Sequence, residues 1–364
     1  MNKVKLLFFL LFVFIISNES IFCQDSAGFM QRKHNLALGN MNKDRKANIN
    51  VGLIADVDTL RGLQFSLTSS IVRKKVSGLN SSVIRAVCFR DIKGVQSSLI
   101  SNVAAGQMKG LQFAGVVNIG GKVKGMQLST FNNIAGLDMH GLQLAGIENI
   151  SLSVDRGLQI AGVMNICIND MKGMQLSAFN YADNMTGLQL GLINVCTQNP
   201  RGTQIGLFNY SRENNARKIG LVNLSPQSRI QMIIFYGNAS KFNVAARFRN
   251  NNTYNIIGFG THYLGLDKDF SGSLFYRMGY WTNVFNDRWT LNADIGFSHI
   301  ETFTENNLVT PERLYSLNTN ISLEYQCLER LGFFVGTGYG IDRYYEHNAN
   351  YRKSFLIKAG IILF

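Results

Sequence analysis

Three aspartates stand where a cleavage site could be built. Asp138, Asp155 and Asp170 recur about once per repeat near a turn. In a stack of β coils they would form an acidic row, the kind of carboxylate grouping that a polysaccharide-cleaving β-helix needs for acid and base work. A cation follows each within two residues, however: His140, Arg156 and Lys172. A solvated ladder of mixed charges is therefore expected, and a glycan-cleaving enzyme is the lesser alternative. The five histidines, His34, His140, His262, His299 and His347, show no metal-ligand spacing with one another or with the cysteines. The run GTGYG at Gly336 to Gly340 sets its glycines on one strand face, a mark of a barrel interior more than of a phosphate loop. No nucleophile elbow or P-loop is present. The sequence thus assigns no catalytic, cofactor-binding or metal-binding residue, and it predicts a non-enzymatic protein.

The elements that would position such groups come from a repeat. Gly, an apolar residue, Gln, another apolar residue and a small residue recur, followed by an apolar-Asn pair, as in GLQFAGVVN, GMQLSTFNN, GLQLAGIEN and GLQIAGVMN. The glycines Gly110, Gly125, Gly141, Gly157, Gly173, Gly187 and Gly202 lie 14 to 16 residues apart. Degraded copies begin at Gly62, Gly78 and Gly94 and end near Asn223, about eleven units in all. So short a period predicts a stacked β-solenoid, each unit two short strands and two bends. Alternation places Leu158 and Ile160 on one face and Gln159 and Ala161 on the other. The reading expects a buried column of Leu111, Met126, Leu142, Leu158, Met174 and Leu188. It expects amide ladders of Gln112 to Gln204 and Asn118 to Asn209, and turn chemistry at Asn169 to Lys172.

The rest of the chain supplies context. Met1 to Cys23 reads as a signal peptide, with Lys3 and Lys5 before an apolar core too short for a spanning helix. Lipidation of Cys23 is an alternative to simple cleavage, although Phe22 is bulky for that site. Residues 24–48 are polar and read as a lead-in, and Asn50 to Asp56 as a degenerate end coil. Cys167 and Cys196 lie two coils apart, a backbone separation of roughly 9.6 Å against a disulfide's reach of about 7 Å, so they are expected as small buried apolar residues. Residues 62–225 hold +8 of the net charge of +13. This suggests an anionic envelope neighbour, lipid headgroups or acidic glycans, and not nucleic acid.

After about Ser225 the repeat gives way to longer amphipathic alternation. Trp289, Leu291, Ala293, Ile295 and Phe297 oppose Thr290, Asn292, Asp294 and Ser298; Tyr315, Leu317, Ile321 and Leu323 oppose Ser316, Asn318, Asn320, Ser322 and Glu324. About eight such segments of membrane-crossing length predict an antiparallel barrel over residues 226–364, following a solenoid over 49–225. Long connections are expected at Glu305 to Glu312 and Tyr345 to Lys353. Aromatic girdles are expected from Tyr276, Tyr280, Trp281, Trp289, Tyr315, Tyr325 and Tyr339.

This half resembles small outer-membrane barrels, above all in a final strand ending at an aromatic, Phe364. The resemblance implies insertion by the barrel-assembly machinery of a Gram-negative outer membrane. One departure concerns parity: Lys358 shares the face of Phe364, while Phe355, Ile357, Ala359, Ile361 and Leu363 form the clean apolar face. The phrases from Gly110 to Asn223 resemble the Gly-Leu-Gln surface-repeat proteins of Bacteroidota and spirochaetes, which implies a cell-envelope location. Together these readings predict a barrel-anchored solenoid acting as a structural, spacer or binding surface. Both ends of an even barrel, and hence the solenoid, are expected in the periplasm. The alternative is one large porin-like barrel with a strand per repeat.

Overall fold

The computed structural model describes residues 34–37, 40–41, 46–213, 215–263, 270–304, 307–346 and 350–363. The segment Met1 to Cys23, read as a signal peptide, and Phe364 lie outside these residues. Two compact units are present, Met1–Gly206 with Asn215–Arg217, and Leu207–Asn214 with Lys218–Phe364. Among the described residues the chain is all-β, a stacked solenoid and a closed barrel.

In the first unit each repeat is one coil, laid parallel and nearly in register on the last. Gly110 pairs with Gly125, Gln112 with Gln127 and Asn118 with Asn133. Strands His34–Ala37 and Asn40–Met41 also pair in parallel, with Ile49–Gly52 and with Ala55 and Asp56, so stacking reaches back into the polar lead-in.

The buried column differs from the expected one. Gln112, Gln127, Gln143, Gln159, Gln175 and Gln189 are fully buried, whereas Leu111, Leu142 and Leu158 are only half-buried on the outer surface and Met126 is exposed. Residues one apart on a strand point to opposite sides, so Gln and its apolar neighbours cannot both face inward. The amides win the interior because each can satisfy both its hydrogens there. Gln143 Nε2 donates to Gln127 Oε1 at 2.8 Å, and Gln159 Nε2 to Gln143 Oε1 at 2.8 Å. Gln112 and Gln127 use the second hydrogen on the carbonyls of Ile119 and Ile134. Asparagines do the same in the opposite direction: Asn133 Nδ2 donates forward to Asn149 Oδ1 at 3.0 Å and across the bend to the Leu144 carbonyl at 2.8 Å. Two amide columns of opposed polarity thus hold a narrow interior, with Asn80 Nδ2, in the degraded copy at Gly78, the one amide donor of these columns left without a partner among the described residues.

Apolar packing comes from elsewhere. Met108, Val123, Met139, Val154, Met171 and Met185 form a buried column, packed with Ala104, Ala135, Cys167, Ala182 and Cys196. Met171 belongs to the segment expected as a turn; it sits inside the strand Met164–Leu176. Methionine suits this position because its flexible thioether fills the irregular gap beside a bend.

Cys88, Cys167 and Cys196 are buried free thiols, as the stacking distance requires. Burial pushes the Cys167 thiol up to about 12 and Cys88 up to about 11, so both stay protonated at any ordinary pH. Iodoacetamide at mildly alkaline pH should therefore leave these two unmodified in the native protein and label them once the solenoid is unfolded. Labelling at equal rates before and after denaturant would contradict this burial.

The second unit contains a closed antiparallel barrel of eight strands: Arg229–Gly237 (β1), Ser240–Asn250 (β2), Thr253–Tyr263 (β3), Phe270–Asn283 (β4), Trp289–Thr304 (β5), Asn307–Leu328 (β6), Leu331–Tyr344 (β7) and Asn350–Leu363 (β8). Closure comes from β1 on β8, with Met232 opposite Leu363, so the chain enters the barrel at the rim where β8 ends. A closed ring of this size excludes the single large barrel. The connection expected at Glu305 to Glu312 is mostly strand, because Thr304 pairs with Asn307 and Thr302 with Glu312.

Side chains alternate as the pattern requires. Leu291, Ile295, Phe297, Leu317 and Ile321 are exposed on the outer wall, and Asn292, Asp294, Ser298, Asn318, Asn320 and Glu324 are buried inside. The parity conflict in the last strand also resolves: Phe355 and Ile357 face out, and Lys358 is buried in the lumen. Residues preceding the barrel pack on it within the same unit. Asn223 Nδ2 donates to Asn255 Oδ1 at 2.7 Å, and the Tyr276 hydroxyl to the Gly220 carbonyl at 2.8 Å.

Candidate functional site

Two places gather polar chemistry, the barrel lumen and the solenoid surface. In the lumen, Glu324 accepts two parallel bonds from Arg247, Nη1 at 2.9 Å and Nη2 at 3.0 Å, and further bonds from Arg249 Nη2 at 3.3 Å and Asn292 Nδ2 at 3.2 Å. Arg247 Nε reaches Gln231 at 2.7 Å, and Arg249 Nη2 also reaches Asn292 at 3.0 Å. A second group centres on Asp294, which accepts from the Tyr254 hydroxyl at 2.9 Å and Asn320 at 2.8 Å, with Lys358 Nζ at 4.0 Å.

Aromatic rings cover the cations. Arg249 lies 4.3 Å over Trp281 and Arg277 5.0 Å over Phe275. Trp281, expected in a girdle, instead packs against the interior cluster of Tyr254 and Phe275; its neighbour Tyr280 is the exposed one. Among Phe235, Arg277, Ser298, Asn320 and Lys358 a cavity of about 30 Å³ remains, room for a water or two. Paired charges and packed rings therefore plug the lumen, as side chains fill other small barrels.

Solenoid acids are engaged locally. Asp138 pairs with Lys122 at 2.6 Å, Asp155 lies 3.4 Å from His140, and Asp170 accepts from Asn184 at 3.0 Å. The aspartates run beside cations and an amide instead of converging on a common point. Among the described residues no group of three His, Cys, Asp or Glu side chains could hold a metal ion.

One feature of the solenoid surface escaped the sequence reading. The residue just before each repeat glycine is Arg61, Lys93, Lys109, Lys124, Arg156, Lys172 or Arg201 in seven coils, and His140 in another. Lys93 pairs with Lys109, Lys109 with Lys124, and Lys124 with His140, making a vertical basic column. The seven are exposed. Aligning the repeats on glycine and reading one position back reveals it in the sequence.

Solved structures offer a distant likeness to the barrel. The chain is similar to the N-terminal β-barrel domain of Pseudomonas aeruginosa OprF, at 12% identity and a TM-score of 0.29, over 38% of this chain and 98% of that one. It is also similar to Neisserial surface protein A, at 10% identity and a TM-score of 0.27, over 37% and 94%. No protein-family model and no curated protein matches the chain.

Proposed function

We propose that this chain is a non-enzymatic protein of a bacterial outer membrane, in which the barrel is a plugged anchor and the solenoid a rigid surface for anionic envelope components. The observation that carries the reading is the closed eight-stranded barrel with an apolar outer wall and a lumen filled by the Arg247–Glu324 and Asp294 networks. Exposed Ile, Leu and Phe on alternate strand positions suit lipid, and closure leaves no strand edge unpaired there. An occluded lumen weighs against a channel. Engagement of Asp138 by Lys122 and of Asp155 by His140 weighs against glycan cleavage, because a catalytic acid-base pair needs two carboxylates aimed at one bond. Entry and exit at one rim support a periplasmic solenoid.

Membrane fractionation tests the anchor. The protein should stay with outer membranes through urea and alkaline carbonate washes and should dissolve only in detergent. Release by urea alone would refute barrel anchoring. Asp155→Ala and Asp170→Ala should be as stable as the parent within about 0.5 kcal/mol, as surface changes usually are, and should leave any glycan-degrading activity of a preparation unchanged. Loss of such an activity in either variant would support the enzyme alternative.

A further inference from the structure

The solenoid surface is amphipathic in an ordered way. Beyond the third residue after each glycine the chain bends, and the bends stack into an apolar ridge: Leu99, Val116, Phe131, Ile147, Val163 and Leu192 are all exposed, Leu99 to 64%. Backbone bonds connect successive bends, Val116 N to the Ile100 carbonyl, Ile147 N to Phe131 and Val163 N to Ile147. From Leu67 to Leu207 the ridge spans nine coil steps, about 43 Å at strand spacing, with one gap at the Ser177–Ala178 bend.

The face beside the ridge stays apolar, through pairs such as Phe113 with Leu111 and Leu144 with Leu142, until it meets the basic column at its far edge. Six residues separate column from ridge, about 20 Å, close to one leaflet with its headgroups. Backbone groups along this face are paired from coil to coil, the condition for resting in hydrocarbon. Lys93, Lys109 and Lys124 stack in register with no acidic partner among the described residues, and in-register cations repel one another, while Lys172, opposite Asp155 and Thr186, and Arg201, opposite Thr186, continue the exposed basic edge. A second copy of the chain would bring the same charge and worsen that repulsion. A sheet of phosphates relieves it.

We propose that this face, from basic column to apolar ridge, is a binding surface for an anionic lipid leaflet, with the cations at the phosphates and the ridge among acyl chains. This deepens the proposed role by naming its anionic component, and it rests on that reading.

The test uses the whole mature chain in vesicles of phosphatidylcholine alone or with phosphatidylglycerol. A cysteine is placed on the ridge by Leu99→Cys or Val163→Cys, or on the opposite side by Lys75→Cys, and labelled with a charged maleimide. Ridge cysteines should react roughly tenfold more slowly than Lys75→Cys in the anionic vesicles. Protection should disappear when Lys109→Glu, Lys124→Glu and Lys172→Glu are combined, and should be absent in phosphatidylcholine. Equal labelling at ridge and control in anionic vesicles would overturn the proposal. Ridge protection that persists in lipid-free detergent would also overturn it, since a second copy would then be the occupant. Trypsin resistance of the barrel, scored in the same samples, reports anchoring separately: an unprotected barrel with a protected ridge would count against the anchor and not against this surface.

Discussion

Gly141→Ala is expected to lower solenoid stability by at least roughly 3 kcal/mol, the sum of a strained backbone and a direct collision. Gly141 has φ of +118, a conformation that L side chains rarely adopt, and an added Cβ would strike the carbonyl oxygen of Gly125 one coil earlier. That obstacle is backbone held in the parallel ladder, so it cannot rotate away. In a stack where each coil touches only its neighbours, the damage falls on one interface. The bonds of Gln143 to Gln127 and of Asn133 to Asn149 cross that interface. Denaturant melts should show a lower or divided transition, and limited proteolysis should open a site near residue 141. Leu142→Ala, next along the chain, is the contrast. Its half-buried side chain predicts a loss below about 1.5 kcal/mol, whereas a true core leucine would cost about 2–5 kcal/mol. A larger loss at Leu142 than at Gly141 would return leucine to the core and amides to the surface.

Glu324→Ala is expected to destabilise the barrel by about 3–5 kcal/mol, because it strands Arg247 and Arg249 in a buried site without their shared carboxylate. The cost lies in the orphaned cations, not in the bond itself. Adding Arg247→Ala to Glu324→Ala should therefore cost much less than the sum of the two single changes. The temperature at which the folded barrel collapses in detergent gels reads this directly. Strict additivity of the two changes would mean the pair is not coupled and the lumen not held as described.

Much of the architecture was legible because β structure writes its periods plainly. A repeat of 14 to 16 residues with fixed glycines dictated stacked coils, and two-residue alternation from Trp289 to Phe297 and from Tyr315 to Leu323 dictated barrel strands and their faces. Burial inside the solenoid was not legible by hydrophobicity. Alternation showed that Leu158 and Gln159 face opposite ways without saying which is inside. The answer depends on amides bonding both the next coil and a carbonyl across the bend, a long-range property of the stack. Met171 was hidden for a related reason: its neighbours Asn169, Asp170 and Lys172 resemble a turn, and only the register shift between Cys167 and Asp170 inside the strand sets the methionine inward. In the barrel, Lys358 read as a defect of the lipid face until register with the other strands placed it near Asp294. Trp281 failed as a girdle residue because Arg249 in the lumen offered its ring a cation.

A barrel that anchors without conducting is tested most directly by planar-bilayer recording of the refolded chain. With Arg247, Arg249 and Glu324 closing one part of the lumen and Asp294, Asn320 and Lys358 another, insertion should leave the membrane without stable stepwise currents. Reproducible unit conductance from the unmodified protein would contradict the plugged anchor and would make the lumen a pathway instead of a core.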